Sequence, residues 1–181
     1  MNYLGPNLEL RNCMIKIQTS SRWLTISSGV KFSWCEIMIS KKTINFAWYE
    51  AVLDNCKFTG VLVSHYFGYS EDTPHPCGKI VNCSFEEAIL DDCRFSRCDL
   101  HTIRLPWWPC FTVLNPSEHT AEMINSGSKV LMQLAEEYEY RTSETVAQTE
   151  YAIALSKRIR LSVDVILGEI KNKNRIIIHS H

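Results

Sequence analysis

No apolar run in the 181 residues approaches the roughly 18 needed to cross a bilayer as a helix, so no membrane span is expected. Charge of one sign is not in excess either: 19 Lys and Arg stand against 20 Asp and Glu. That balance removes the non-specific pull toward nucleic acid or anionic lipid, and direct nucleic-acid binding is not expected. The opening MNYLGPNLELRNC lacks a basic leader followed by an apolar stretch, which points to the cytoplasm. Eight cysteines are present but no C-x₂-C pair, so they read as small buried hydrophobes of a reducing compartment rather than as zinc ligands or cross-links. His75, Cys77 and Cys83 are the nearest approach to a metal set, and no metal or cofactor is assigned. Glycine-rich phosphate loops, the G-x-S-x-G elbow and H-E-x-x-H are all missing. His65, His75, His101 and His119 are scattered, no catalytic residue is assigned, and an enzyme is not expected.

What is present is a period of five. Phe85, Leu90, Phe95, Leu100 and Leu105 each follow, by two residues, a smaller or slimmer side chain: Cys83, Ala88, Cys93, Cys98 and Ile103. With 45% of the chain apolar, chance fills all ten slots roughly three times in ten thousand. Neither the 3.6 period of a helix nor the period of two of a strand explains it. Side chains at i−2 and i share one face of an extended segment, so both can point inward before the chain turns a corner. Stacked units of this kind share a continuous core that no single unit can form. AVLDN-CKFTG (51–60) repeats the pattern and adds Leu53, Cys56 and Phe58 to the inward set. VKFSW-CEIMI and LELRN-CMIKI follow it more loosely, and the register slips by one residue between Cys35 and Phe46.

CSFEE-AILDD-CRFSR-CDLHT resembles the pentapeptide-repeat family, strongly over 83–105 and well over 51–60. The resemblance implies a mainly β solenoid, a right-handed quadrilateral β-helix of roughly four coils, over residues 1–110. An inserted loop near 64–80, centred on HYFGYSEDTPHPCG, breaks the grid; its Tyr66, Phe67 and Tyr69 either fold back on the wall or anchor a partner. The acid pairs Glu86–Glu87 and Asp91–Asp92 stand at outward repeat positions, as solvated corners or as partner contacts. LPWWPC at 105–110 ends the repeat, with Trp107 and Trp108 expected to cap the open end.

Residues 111–181 read as a helical extension. Asn115, Pro116 and Glu118 give a helix start, and Val130, Leu131, Leu134 and Tyr138 follow helical spacing. A second helix is expected after Thr142 or Ser143, carrying Val146, Ala152, Leu155, Ile159, Val163, Ile166 and Ile170. RIII at 175–178 reads as a short strand or docked tail. Residues 111–149 hold six acids and two bases, and 150–181 three acids and six bases, so a hairpin of opposite charges is expected. It either folds onto its own body or forms a homodimer through the C-terminal helices.

The function expected is that of a non-catalytic bacterial protein-binding module, specifically an immunity-type inhibitor of a toxin partner, a step taken by analogy with the family. Two others stand beside it. One is a DNA mimic that protects a gyrase or topoisomerase, which asks for a strongly acidic surface where residues 1–110 carry eleven acids and eleven bases. The other is a structural scaffold subunit.

Overall fold

The computed structural model describes residues 2–70, 78–171 and 173–180. Its strands are, in order, β1 (Asn2–Leu4), β2 (Glu9–Arg11), β3 (Met14–Ile17), β4 (Leu24–Ile26), β5 (Val30–Ser33), β6 (Glu36–Ala47) and β7 (Ala51–Asp54). There follow β8 (Lys57–Gly68), β9 (Lys79–Val81), β10 (Ala88–Asp91), β11 (Cys93–Ser96), β12 (Cys110–Leu114), β13 (Thr145–Tyr151) and β14 (Ile176–Ile177). Four helices, α1 (Thr120–Ile124), α2 (Lys129–Tyr138), α3 (Ala152–Ile159) and α4 (Val163–Ile170), lie in the C-terminal third. No helix among the described residues is long and apolar enough to cross a membrane.

The first half of the chain stacks in parallel. Strand β2 pairs β5 with Glu9 opposite Lys31, β5 pairs β7 with Lys31 opposite Val52, and β7 pairs β9 with Val52 opposite Lys79. In the neighbouring sheet β3 pairs β6, and β6 pairs β8, with Met14, Glu36 and Lys57 in line. Inward side chains fuse into one core. Leu53, Cys56, Phe58, Cys83, Phe85, Ala88, Leu90, Cys93, Phe95, Ile103 and Leu105 are buried there, and Cys98 and Leu100 are half-buried against it. Phe58 stacks on Phe85 at 4.7 Å between ring centres and Phe67 on Phe95 at 5.3 Å. Such pairs add about 0.5–1.5 kcal/mol each beyond the area they bury.

A mainly β solenoid with a helical hairpin is nevertheless the wrong fold class. The molecule is mixed α/β, 43% strand and 24% helix, with several sheets of mixed orientation. The period-five signal stops at Leu105, and the chain beyond it joins the same eight-stranded sheet the other way round: β13 runs antiparallel to both β11 and β12, and β14 antiparallel to β12. The expected second helix begins only at Ala152, because Thr145–Tyr151 is strand β13. Thr145, Ala147, Gln148, Thr149 and Glu150 are all buried there, so covering on both faces hides the alternation a strand normally shows. Helix α3 stops at Arg160, in the left-handed conformation, and α4 restarts after Ser162, whose hydroxyl accepts from the Val165 N–H.

Other local expectations also shift. Asn115 is left-handed and makes no side-chain cap, and the chain leaves it as a 3₁₀ turn, Pro116–His119, ahead of α1. Tyr66 and Phe67 belong to β8, so the inserted loop begins later than its composition suggests. Residues 71–77 of that loop, with His75 and Cys77, lie outside the described residues. The helices pack on their own chain: Val130, Leu131, Leu134, Tyr138, Leu155, Ile159, Ile166 and Ile170 form a second core with Phe111 and Val113 of β12.

Candidate functional site

Eleven large apolar side chains are exposed among the described residues, and six fall in the first 44: Tyr3, Leu8, Met14, Trp23, Trp34 and Ile44. They stand on or beside β1, β2 and β3, each the edge of a sheet, and the strands β4, β5 and β6 that pair with them. Met14 is 73% exposed and Trp34 61%. The 3₁₀ turn Ser21–Trp23 lies against β6, with the Ser21 hydroxyl donating to the Ile44 carbonyl and the Arg22 guanidinium 5.5 Å from the Trp23 ring centre. Single exposed apolar residues need no explanation, but a concentration at one end does.

Trp34 is the most informative of them. The same bend recurs at Asn12, Trp34, Asn55 and Asn82, with φ of 54°, 58°, 52° and 53°. Their N–H groups tie the stack together: Asn12 donates to Ser33 at 3.0 Å, Trp34 to Asp54 at 2.9 Å and Asn55 to Val81 at 3.1 Å. Asn tolerates this left-handed geometry, whereas an ordinary L-residue pays about 1–2 kcal/mol to adopt it. A tryptophan there is strained and exposed at once, a choice that neither backbone nor core rewards.

Between the edges opens a cleft of about 630 Å³. Leu4, Ile15, Leu24 and Ile26 form its sides, and Phe32 and Trp48 lie at its base. Trp48 is held from below by His65: the indole N–H donates to Nδ1 at 3.2 Å, so Nε2 carries the ring proton and donates to Thr43 Oγ1 at 2.8 Å. Burial pushes the His65 pKa down to about 4, keeping the ring neutral.

The same end is basic. Residues 1–47 hold six bases and two acids, whereas 48–110 hold five bases and nine acids. Glu9 is matched by Lys31 at 2.8 Å. Arg11, Lys16, Arg22, Lys41 and Lys42 are exposed.

The residues singled out from sequence as partner contacts do not form one surface. Phe67 is fully buried. Tyr66 and Tyr69 are half-buried beneath Arg94 and Arg97, whose guanidinium carbons stand 4.6 and 5.5 Å from the ring centres. Glu86 and Glu87 line a shallow groove of about 430 Å³ with Trp107, Trp108 and Tyr151. Their charges are met by Arg104 at 3.5 Å and Lys57 at 2.6 Å. Trp108 packs on the second core and Trp107 bridges to His179, while the end of the first core that they were expected to cap is covered by Leu114, Val146, Ala147 and Ile177.

Asp91 is buried and Asp92, at a left-handed bend, is half-buried, and both are ion-paired within the chain rather than solvated. Arg158 spans Asp91, Glu137 and Glu150 at 3.4, 3.3 and 3.2 Å, and Arg141 reaches Asp92 at 3.1 Å. Gln148 donates to Asp92 Oδ1 and to Glu150 Oε1, both at 2.8 Å. Burial first, then the Asp92 carboxylate, push the Glu150 pKa up to about 8 against the pull of Arg158. This network fastens the C-terminal third to the β body, so the acid pair is spent within the chain. Sequence inspection missed its partners because Arg141, Gln148 and Arg158 lie about 50 or more residues from the aspartates.

No family model, curated protein or solved structure matches the chain. Its likeness to pentapeptide-repeat proteins therefore rests on the residue pattern alone.

Proposed function

We propose that the protein is a non-catalytic binding module of the cytoplasm, an immunity-type inhibitor that neutralises a toxin partner, and that it docks that partner through its N-terminal end. The observation that carries the docking surface is Trp34, an exposed indole in a backbone position its three equivalents give to asparagine. The few residues that carry most of the energy at protein interfaces are enriched in Trp, Tyr and Arg. Trp23, Tyr3 and Met14 are also exposed on the first two layers of strands, β1–β3 and the β4–β6 that pair with them. The assignment to toxin neutralisation rests on analogy with pentapeptide-repeat proteins and on the lack of any catalytic motif. DNA mimicry is less favoured, because the exposed end is basic rather than acidic. The test is affinity purification from the native host with wild type and with Trp23→Ala/Trp34→Ala. A stoichiometric protein retained by wild type and lost with the variant is the expected result. No stoichiometric protein with wild type removes the reading, and equal retention by both moves the docking surface elsewhere.

A further inference from the structure

We infer that the ligand of the N-terminal end is an extended, acidic segment of the partner protein that adds as a strand beside β3. This rests on the reading of that end as a protein-docking surface and names what docks there.

Three features of the end converge on it. First, β3 terminates the eight-stranded sheet among the described residues, and β6 and β8 follow it in parallel ladders. A further strand on the free side continues a pattern already present, and main-chain hydrogen bonds then provide affinity without a preformed pocket. Second, the cleft beside β3 is walled by Leu4, Ile15, Leu24 and Ile26, which accept apolar side chains from alternate positions of an added strand. Third, β3 turns Met14 and Lys16 outward, and the stretch that carries it is basic. Lys16 stands on β3 itself, and Arg11, Arg22, Lys41 and Lys42 are further exposed bases of the first 47 residues, on β2, the Ser21–Trp23 turn and β6. Opposite charges across a strand pair stabilise it, and like charges destabilise it. The added strand therefore sets an acidic residue opposite Lys16, between aliphatic residues that face the cleft.

The charge also excludes a second copy of this chain. Two such ends brought together set six bases against six, and only Glu9 and Glu36 on each side offset them. An edge guarded by lysine is protected from self-pairing and open to an acidic strand, which is one device by which sheets avoid aggregation.

The test is selection of a random peptide display library on the immobilised full-length protein. Peptides with Asp or Glu between Val, Ile or Leu should enrich. Their affinity should fall about tenfold or more in Lys16→Glu/Lys42→Glu and fall with added salt. Circular dichroism and the thermal midpoint of the charge-reversed protein, whose two lysines are exposed, establish that it is folded. Enriched peptides without acidic bias, or acidic peptides indifferent to the charge reversal, overturn the inference and leave the protein-binding reading standing. No enriched sequence at all removes both. Binding of phosphatidylserine vesicles or single-stranded DNA in place of the peptides overturns the inference by naming a membrane or a nucleic acid as the acceptor.

Discussion

His65 has one hydrogen bond to give and one to receive, and both are used: it accepts from Trp48 and donates to Thr43 in a pocket closed by Phe46 and Phe67. A protonated ring would have to donate at both nitrogens and could not accept from the indole. Its folded pKa of about 4 lies below the ordinary 6.5, so the unfolded chain binds the extra proton first. Acidification from 6.5 toward 4 therefore withdraws stability, about 1.4 kcal/mol per pH unit from this group. Glu150 works in the opposite sense: with its pKa raised to about 8, its contribution is present at low pH and is lost as pH rises toward 8. Ring resonances of His65 should hold at neutral-imidazole shifts down to about pH 5, a level set by its depressed pKa. Movement with a midpoint above 6 in an NMR titration contradicts that placement. The cysteines belong to the same scale. Cys35, Cys56 and Cys93 donate their thiol hydrogens to Leu10, Phe32 and Leu62 carbonyls one layer back, so they act as small core residues that also take up a backbone acceptor.

At the scale of elements, the β13 strand is where reading and molecule part. The inward positions of 83–105 were legible because a single face was buried and the same residue types returned every five positions. Thr145–Tyr151 carries no such signature. Its Gln148 and Glu150 look like solvent-facing residues and are fully buried, because Arg141, Arg158 and Tyr138 come from elsewhere to satisfy them. The end proposed for docking was legible in part. Asn precedes Cys13, Cys56 and Cys83, and Trp precedes Cys35, so the substitution at Trp34 stands in the sequence once the repeats are aligned on cysteine. Its exposure and its left-handed backbone do not. Removing the cation that joins α3 to β10, α2 and β13 should show what the network contributes. Arg158→Ala leaves Asp91, Glu137 and Glu150 facing one another, and because the guanidinium is 36% exposed the loss should sit at the low end for a buried pair, about 3 kcal/mol in urea denaturation. A loss below about 1 kcal/mol means the carboxylates find other partners, as surface pairs do.

Over the whole molecule, the two ends differ in what covers them among the described residues. The C-terminal end of the first core is closed by β13 and, beyond it, by β12, β14 and the helices, which bury their apolar faces within the chain. Among the described residues the N-terminal end carries three strand edges, a cleft, exposed aromatic rings and an excess of bases. Trp34→Asn tests the proposed docking role of this end most directly, because it converts the exceptional bend to the residue found at the three equivalent bends. Urea denaturation and affinity for the partner recovered from the host are measured on the same variant. Stability should hold or rise by up to about 2 kcal/mol as the left-handed strain is relieved, while affinity falls at least about tenfold, as for an interface anchor. A stability loss of about 3 kcal/mol or more, the cost of removing a core aromatic, or an affinity left unchanged, contradicts the assignment of this end as the docking surface.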